Sequence, residues 1–155
     1  MSEMAQKYPF HAQGLRFSCN RCSACCCHES GFVFLSMNDA SRLGAALDMN
    51  YAAFIEAFCR WVPSENGAER LSLKEKANYD CIFWSQEKGG CSVYEARPLQ
   101  CRAFPFWASV LNSKESWEST AAGCPGMGQG AFFSFDSIEK WLTLRQNEPI
   151  IVRDI

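Results

Sequence analysis

Five of the nine positions from 19 to 27 are cysteine, in the run Cys19-Asn-Arg-Cys22-Ser-Ala-Cys25-Cys26-Cys27, and His28 follows directly. No other feature restricts the possible folds so strongly. The whole chain of 155 residues carries ten cysteines, a density met in disulfide-stapled secreted domains and in metal proteins. The disulfide reading needs an oxidising compartment. Met1–Gly14 (MSEMAQKYPFHAQG) lacks the basic stretch followed by an apolar one that marks an export signal, so a reducing, cytoplasmic setting is expected. Adjacent cysteines, moreover, pair with each other only through a strained ring. Thiolate ligation of a metal is the expected use.

The spacing adds detail. A Cys-x2-Cys step lets two sulfurs converge on one ion, because two intervening residues make a tight turn that points both side chains inward. Cys19, Cys22 and Cys25 form two such steps and match the start of the iron–sulfur run C-x2-C-x2-C, in which a further cysteine is followed by proline; here Cys124 precedes Pro125. The second half supplies Cys81, Cys91, Cys101 and Cys124. Cys91 stands beside the Gly89-Gly90 turn and Cys124 lies in the glycine-rich stretch Gly123–Gly130, where backbone can wrap an ion. With Cys26 these make eight candidate ligands, enough for two four-sulfur sites, or for one site with spare redox thiols. The ferredoxin-like analogy groups Cys19, Cys22, Cys25 and Cys124 on one centre. Cys26, Cys81, Cys91 and Cys101 then hold the other, since neighbours such as Cys25 and Cys26 point apart in an extended chain. Three consecutive side chains cannot all face one ion, which leaves Cys27 outside the set, whereas His28 could serve a zinc ion. Cys59 falls at helical spacing with Phe54, Ile55, Phe58 and Val62 and reads as a buried structural thiol.

Length and the absence of repeats or low-complexity linkers predict one unit over residues 1–155, a small α+β domain with two or three short antiparallel strands and about four helices around the metal centre. Gly31–Leu35 reads as a strand. Ser36 or Asn38 caps a helix over Asp39–Leu47, and a second helix is predicted over Tyr51–Val62, stopped by Pro63. Leu71–Lys76 and Cys81–Gln86 read as strands, Tyr94–Arg102 as a short helix ended by Pro105, and Gly123–Gly130 as irregular loop. Ser134 or Asp136 caps a last helix with Ile138, Trp141, Leu142 and Leu144 on its apolar face. The net charge of -2 comes with no basic block, so nucleic acid is not an expected partner. Nor does any run of 18 apolar residues announce a membrane span.

Taken in order, Cys19-x2-Cys22-x2-Cys25-Cys26, then Cys81, then Cys91-Ser-Val-Tyr94-Glu-Ala-Arg97-Pro98-Leu-Gln-Cys101-Arg102-Ala-Phe104-Pro105-Phe106, then Cys124-Pro125, the motifs over about residues 15–130 resemble the CxxCxxCC family of zinc- or iron-chelating cysteine-cluster proteins, the YkgJ-like group. The resemblance implies metal or iron–sulfur binding, with no settled activity for stand-alone members. Flagellin lysine methylases look to carry a similar cluster in a longer chain, but this sequence lacks a glycine-rich S-adenosylmethionine loop and departs by its extra Cys27. Four thiolates around a divalent ion or an oxidised four-iron cluster leave a net charge of about -2 that a half-buried site must offset. Arg97 and Arg102 are the candidates for that role, and Phe104–Trp107 for a water-excluding shield.

Three functions remain open on these grounds. The first is a zinc or iron–sulfur module, redox or accessory, that serves an unidentified protein partner. The second is a structural zinc domain presenting an interaction surface, and the third an accessory enzyme acting on another protein. Enzyme motifs are absent: there is no G-x-S-x-G, H-E-x-x-H, phosphate loop or C-x3-C-x2-C.

Overall fold

The computed structural model describes residues 9–19 and 32–154. They fall into two compact units, and among them six α-helices accompany seven short strands, all paired antiparallel. The α+β class is as the sequence predicts. Both helices and strands are more numerous than expected: the stretch Tyr51–Val62 divides into a helix and a strand, and elements at Leu15–Phe17, Ala108–Leu111, Lys114–Ala121, Met127–Phe133 and Val152–Asp154 form where none was predicted. Among the described residues no helix is long and apolar enough to cross a membrane.

The first unit comprises residues 9–19 and 103–146. Strand β1 (Leu15–Phe17) pairs with β6 (Met127–Phe133), and the register shifts between Arg16 and Phe17. Half of the stretch expected to be loop is thus strand. Gly128 and Gly130 supply the positive φ that this irregular strand needs, and a β-carbon on Gly130 would strike the Ser18 hydroxyl. The bulge lets the chain continue as a clamp: Ser18 N–H donates to the Gly126 carbonyl (3.1 Å) while its Oγ accepts from Ala131 N–H (2.9 Å). Two short helices, α4 (Ala108–Leu111) and α5 (Lys114–Ala121), and the long α6 (Phe135–Asn147) complete the unit. Ser113 and Ser134 cap the latter two through their hydroxyls, the second as the sequence predicts. Phe106, Val110, Leu111, Trp117, Met127 and Ile138 form the core.

The second unit comprises residues 32–102 and 147–154. Helix α1 (Met37–Ala46) opens on a reciprocal cap in which Ser36 Oγ accepts from Asp39 N–H and Asp39 Oδ2 accepts from Ser36 N–H. Helix α2 (Tyr51–Phe58), capped by Asn50, ends earlier than predicted, and the chain passes at Cys59 straight into β2 (Cys59–Pro63) with no residue between. The apolar run Tyr51–Val62 fits both periods. Pairing of β2 with β3 (Ala68–Leu73) decides where one gives way to the other. A turn at Ser64–Gly67 joins them, with Gly67 at φ +84° and Ser64 N–H bonded to the Ala68 carbonyl, and β7 (Val152–Asp154) adds a third strand to β3. Phe34 makes only an isolated bridge to Ser72, so the expected strand over Gly31–Leu35 is not formed by its described residues. Strands β4 (Trp84–Ser85) and β5 (Gly90–Cys91) make a hairpin over the predicted glycine turn. After a 3-10 turn at Tyr94–Ala96 comes α3 (Leu99–Ala103), in which the N–H groups of Cys101 and Arg102 both bond the Pro98 carbonyl. Leu35, Leu43, Phe54, Cys59, Leu71, Leu73 and Phe83 pack the core.

Candidate metal centre

The candidate ligands divide between the two units. Cys19 and Cys124 lie in the first; Cys81, Cys91 and Cys101 lie in the second. Cys22, Cys25 and Cys26, and with them Cys27 and His28, lie outside the described residues. Among the described residues no three histidine, cysteine or acidic side chains are grouped around a point that could hold an ion.

In the first unit the Ser18–Gly126 hydrogen bond matters most, because its donor precedes Cys19 and its acceptor lies two residues after Cys124. Two cysteines more than a hundred residues apart thereby stand just outside two strands that pair with each other. Gly126 is needed there, since a β-carbon would strike the Ser18 carbonyl oxygen and stand 3.0 Å from its carbon. Cys19 is exposed and Cys124 half-buried against the cluster of Phe106, Trp117 and Met127, with Phe104 and Trp107 beside it. Phe104 and Trp107 meet edge to face at 5.1 Å, and Phe106 and Phe133 at 5.0 Å. The aromatic segment expected to exclude water is therefore packed in the same unit as Cys124.

In the second unit Cys91 stands opposite Trp84 in the hairpin, and the turn from Cys81 returns to Trp84 N–H at 2.8 Å. Both half-buried thiols pack against the core that contains Phe83. Cys101 occupies α3. The residue before it, Gln100, accepts from Phe34 N–H (3.0 Å) and donates to the Phe32 carbonyl (2.7 Å). Ser18 thus bonds beside Cys124 in the first unit, and Phe32 bonds the neighbour of Cys101 in the second. Cys59 is buried, at 6 % exposure, and burial raises its thiol to about 12 despite nearby Lys74. It is a structural thiol, as its apolar neighbours predict, on a strand where a helix was expected.

Arg97 and Arg102 are both half-buried. The Arg97 guanidinium stacks 3.8 Å over Tyr94 and its Nε donates to the Tyr94 carbonyl; Arg102 Nε donates to the Arg97 carbonyl (3.2 Å). Burial pushes the Arg102 pKa below its ordinary value, with Arg42 and Arg97 acting in the same direction and Asp39 and Glu148 against it. Sequence reasoning overlooked the anchor of this group. Asp39, fully buried, accepts from Arg42 Nη2 (2.7 Å), Leu99 N–H (2.9 Å) and Ser36 N–H, tying α1 to α3. The Ser-x-x-Asp spacing could have exposed its capping half, but the bond to Leu99 is tertiary and leaves no local signal.

The thiol-rich donor set fits soft-ligand metals, zinc and iron–sulfur clusters above all. A family model described as “Putative zinc- or iron-chelating domain” matches residues 18–125, which agrees with the cofactor class expected from the cysteines. A relative is an uncharacterized protein of Methanocaldococcus jannaschii, 25% identical over 108 residues that make up 70% of this chain and 54% of its own. The chain thus spans about half the length of that relative. No solved structure matches it.

Proposed function

Because the chain belongs to the CxxCxxCC family, we propose that it is a metal-binding protein with cysteine-held iron–sulfur cluster or zinc, working in the reducing cytoplasm as a redox or accessory module for a protein partner. The observation that carries the proposal is the Ser18–Gly126 hydrogen bond, which joins the neighbour of Cys19 to the loop of Cys124 within one unit. Cys19, Cys22, Cys25 and Cys124 hold one centre in this reading; Cys26, Cys81, Cys91 and Cys101 hold the second. The sorting of the five described candidates into units supports that division.

Bound there, an iron–sulfur cluster would supply one-electron transfer, and zinc a fixed tetrahedral crosslink. The chain's own contribution is solvent exclusion and charge. Phe104, Phe106 and Trp107 keep water from the Cys124 side, and Arg97 and Arg102 place positive charge next to Cys101 against the excess negative charge of thiolates. Iron–sulfur is favoured over zinc by the C-x2-C-x2-C run, the Cys124-Pro125 step and that aromatic packing.

The test is anaerobic purification followed by metal and acid-labile sulfide analysis of the wild type and of eight single Cys→Ser variants. Brown protein containing iron and sulfide, losing metal in two groups of four variants, is the expected result. Zinc alone in that preparation overturns the electron-transfer reading, and loss in one block of eight overturns the division.

A further inference from the structure

Of the seven asparagines in the chain, one is followed by glycine: Asn66-Gly67, in the turn between β2 and β3. Both residues are exposed, and a β-carbon built on Gly67 would meet nothing within 4 Å. The Gly67 N–H makes a long bond to the Ser64 carbonyl, 3.3 Å, at the weak end of the range. The side-chain amide of Asn66 is held more firmly. Its Oδ1 accepts from Ala68 N–H at 3.2 Å and from the Ser64 hydroxyl at 2.6 Å. Since Ala68 N–H can only donate, it is the oxygen of the amide, not the nitrogen, that faces this pair of donors.

We propose that Asn66 is a site of spontaneous covalent modification, losing its amide as ammonia through attack by the Gly67 nitrogen, with water as co-reactant. The Gly67 nitrogen gives its proton to a solvent base and bonds to Asn66 Cγ, while the carbonyl electron pair moves onto Oδ1. The intermediate collapses by breaking the Cγ–Nδ2 bond, and Nδ2 leaves with a proton as ammonia. Water then opens the cyclic imide. Breaking the bond from Cγ to the Gly67 nitrogen gives aspartate; breaking the bond from the main-chain carbonyl carbon to that nitrogen gives isoaspartate, whose backbone runs through the side chain and is one carbon longer. Nothing is oxidised or reduced. Gly67 has no β-carbon to hinder ring closure. Negative charge develops on Oδ1, where the Ser64 hydroxyl and Ala68 N–H are already placed, which is the arrangement that stabilises an oxyanion. The Ser64 hydroxyl also lies 2.9 Å from the Ala68 carbonyl oxygen and has one proton to give, which the growing charge draws to Oδ1. The aspartate product keeps both bonds, now charge-assisted. The isoaspartate product does not, because its longer backbone shifts the register by which Ser64 N–H meets the Ala68 carbonyl at 2.8 Å. Either product adds one negative charge to a chain of net charge -2, and the departure of ammonia makes the change one-way, so the turn records the age of the molecule. The inference does not rest on the metal reading, since none of these residues is a candidate ligand.

The full chain is incubated for days at mildly alkaline pH in water enriched in heavy oxygen, then digested with trypsin and followed by liquid chromatography and mass spectrometry. Heavy oxygen in the product separates reaction during incubation from reaction during digestion. The peptide spanning residues 61–70 should exchange its amide for a heavy-oxygen carboxyl and split into aspartate and isoaspartate forms, while the peptides carrying Asn50 and Asn78 stay unchanged over the same time. The native protein should react at least as fast at Asn66 as the same chain unfolded in urea, because the turn supplies the donors to Oδ1. Ser64→Ala removes one of them and should slow the native reaction about two- to tenfold, the scale of one neutral hydrogen bond; Ser64→Thr keeps the hydroxyl and should keep the rate. Circular dichroism matching the wild type shows that the variants are folded, and the comparison of native with unfolded wild type decides the matter if Ser64→Ala is not. A native protein that reacts at Asn66 more slowly than the unfolded chain, a rate indifferent to Ser64→Ala, or a reaction no faster at Asn66 than at Asn50 and Asn78 would each overturn the assignment.

Discussion

Asp39→Asn changes neither the volume nor the shape of the side chain, and it removes the charge on which α1 and α3 are joined. In the native protein Oδ1 accepts from Arg42 and from Leu99 N–H, and Oδ2 from Ser36 N–H. The amide oxygen can serve only one of these two positions. If it replaces Oδ1, the new NH2 group meets the Ser36 N–H donor head-on, and a buried donor without an acceptor costs about 1–3 kcal/mol. The bonds that survive lose their charge assistance, about 1 kcal/mol for Leu99 and less for Arg42, which is partly exposed and screened. The sum is about 3 kcal/mol, a large share of the ~5–15 kcal/mol that stabilises an ordinary domain. Urea denaturation followed by far-UV circular dichroism measures it. With an m-value of about 1–3 kcal/mol/M the midpoint should fall by about 1–3 M. Ser36→Ala, which removes the hydroxyl cap on Asp39 N–H and the part-buried bond to Glu148, should cost about 1–2 kcal/mol. A loss under about 1 kcal/mol for Asp39→Asn, at unchanged m-value, would refute the claim that this carboxylate joins the helices.

Two further outcomes follow from particular side chains. Cys59, held as a neutral thiol with its pKa raised to about 12 from 9.0, should react with iodoacetamide roughly a thousandfold more slowly than an ordinary thiol at pH 8, read by mass spectrometry of the labelled peptides. Labelling of Cys59 at the rate seen after unfolding would contradict this. The same shift leaves stability untouched below about pH 9 and removes it between about pH 9 and 12, because only the unfolded thiol ionises there; the slope should approach 1.4 kcal/mol per pH unit. Gly126→Ala drives a methyl group into the Ser18 carbonyl and should cost about 1–3 kcal/mol in thermal or urea unfolding. A neutral result would mean that the clamp between Ser18 and Gly126 yields without effort.

The parts of the fold legible in the sequence are those decided within a few residues. Ser36 and Ser134 announce their helices because a cap needs only a side-chain oxygen and an N–H group three residues on. The hairpin at Gly89-Gly90 is legible for the same reason. The change from α2 to β2 at Cys59 is not, since Phe54, Phe58, Cys59 and Val62 satisfy a buried helix and a buried strand alike until Leu71 and Leu73 are known to lie opposite. Glycines at 128 and 130 suggest a loop, but β6 uses them within a pairing whose partner, β1, lies more than a hundred residues away. The candidate thiols were visible through spacing. Asp39 and Arg42 were not, because their importance comes from Leu99 and from the Arg97 carbonyl, which local pattern does not bring near.

The direct passage from α2 into β2 also says where this chain can change its length over evolutionary time. At Phe58–Cys59 there is no connecting residue to lengthen: Cys59 N–H still bonds the Ile55 carbonyl of the helix while Cys59 already pairs with Leu73 in the sheet. One inserted residue there would either rotate the helix by about 100° or flip every side chain of β2 to the other face. The Ser64–Gly67 turn at the far end of the same strand is different, since a β-carbon built on Gly67 meets nothing within 4 Å. Insertions between related sequences should collect at that turn and avoid the junction.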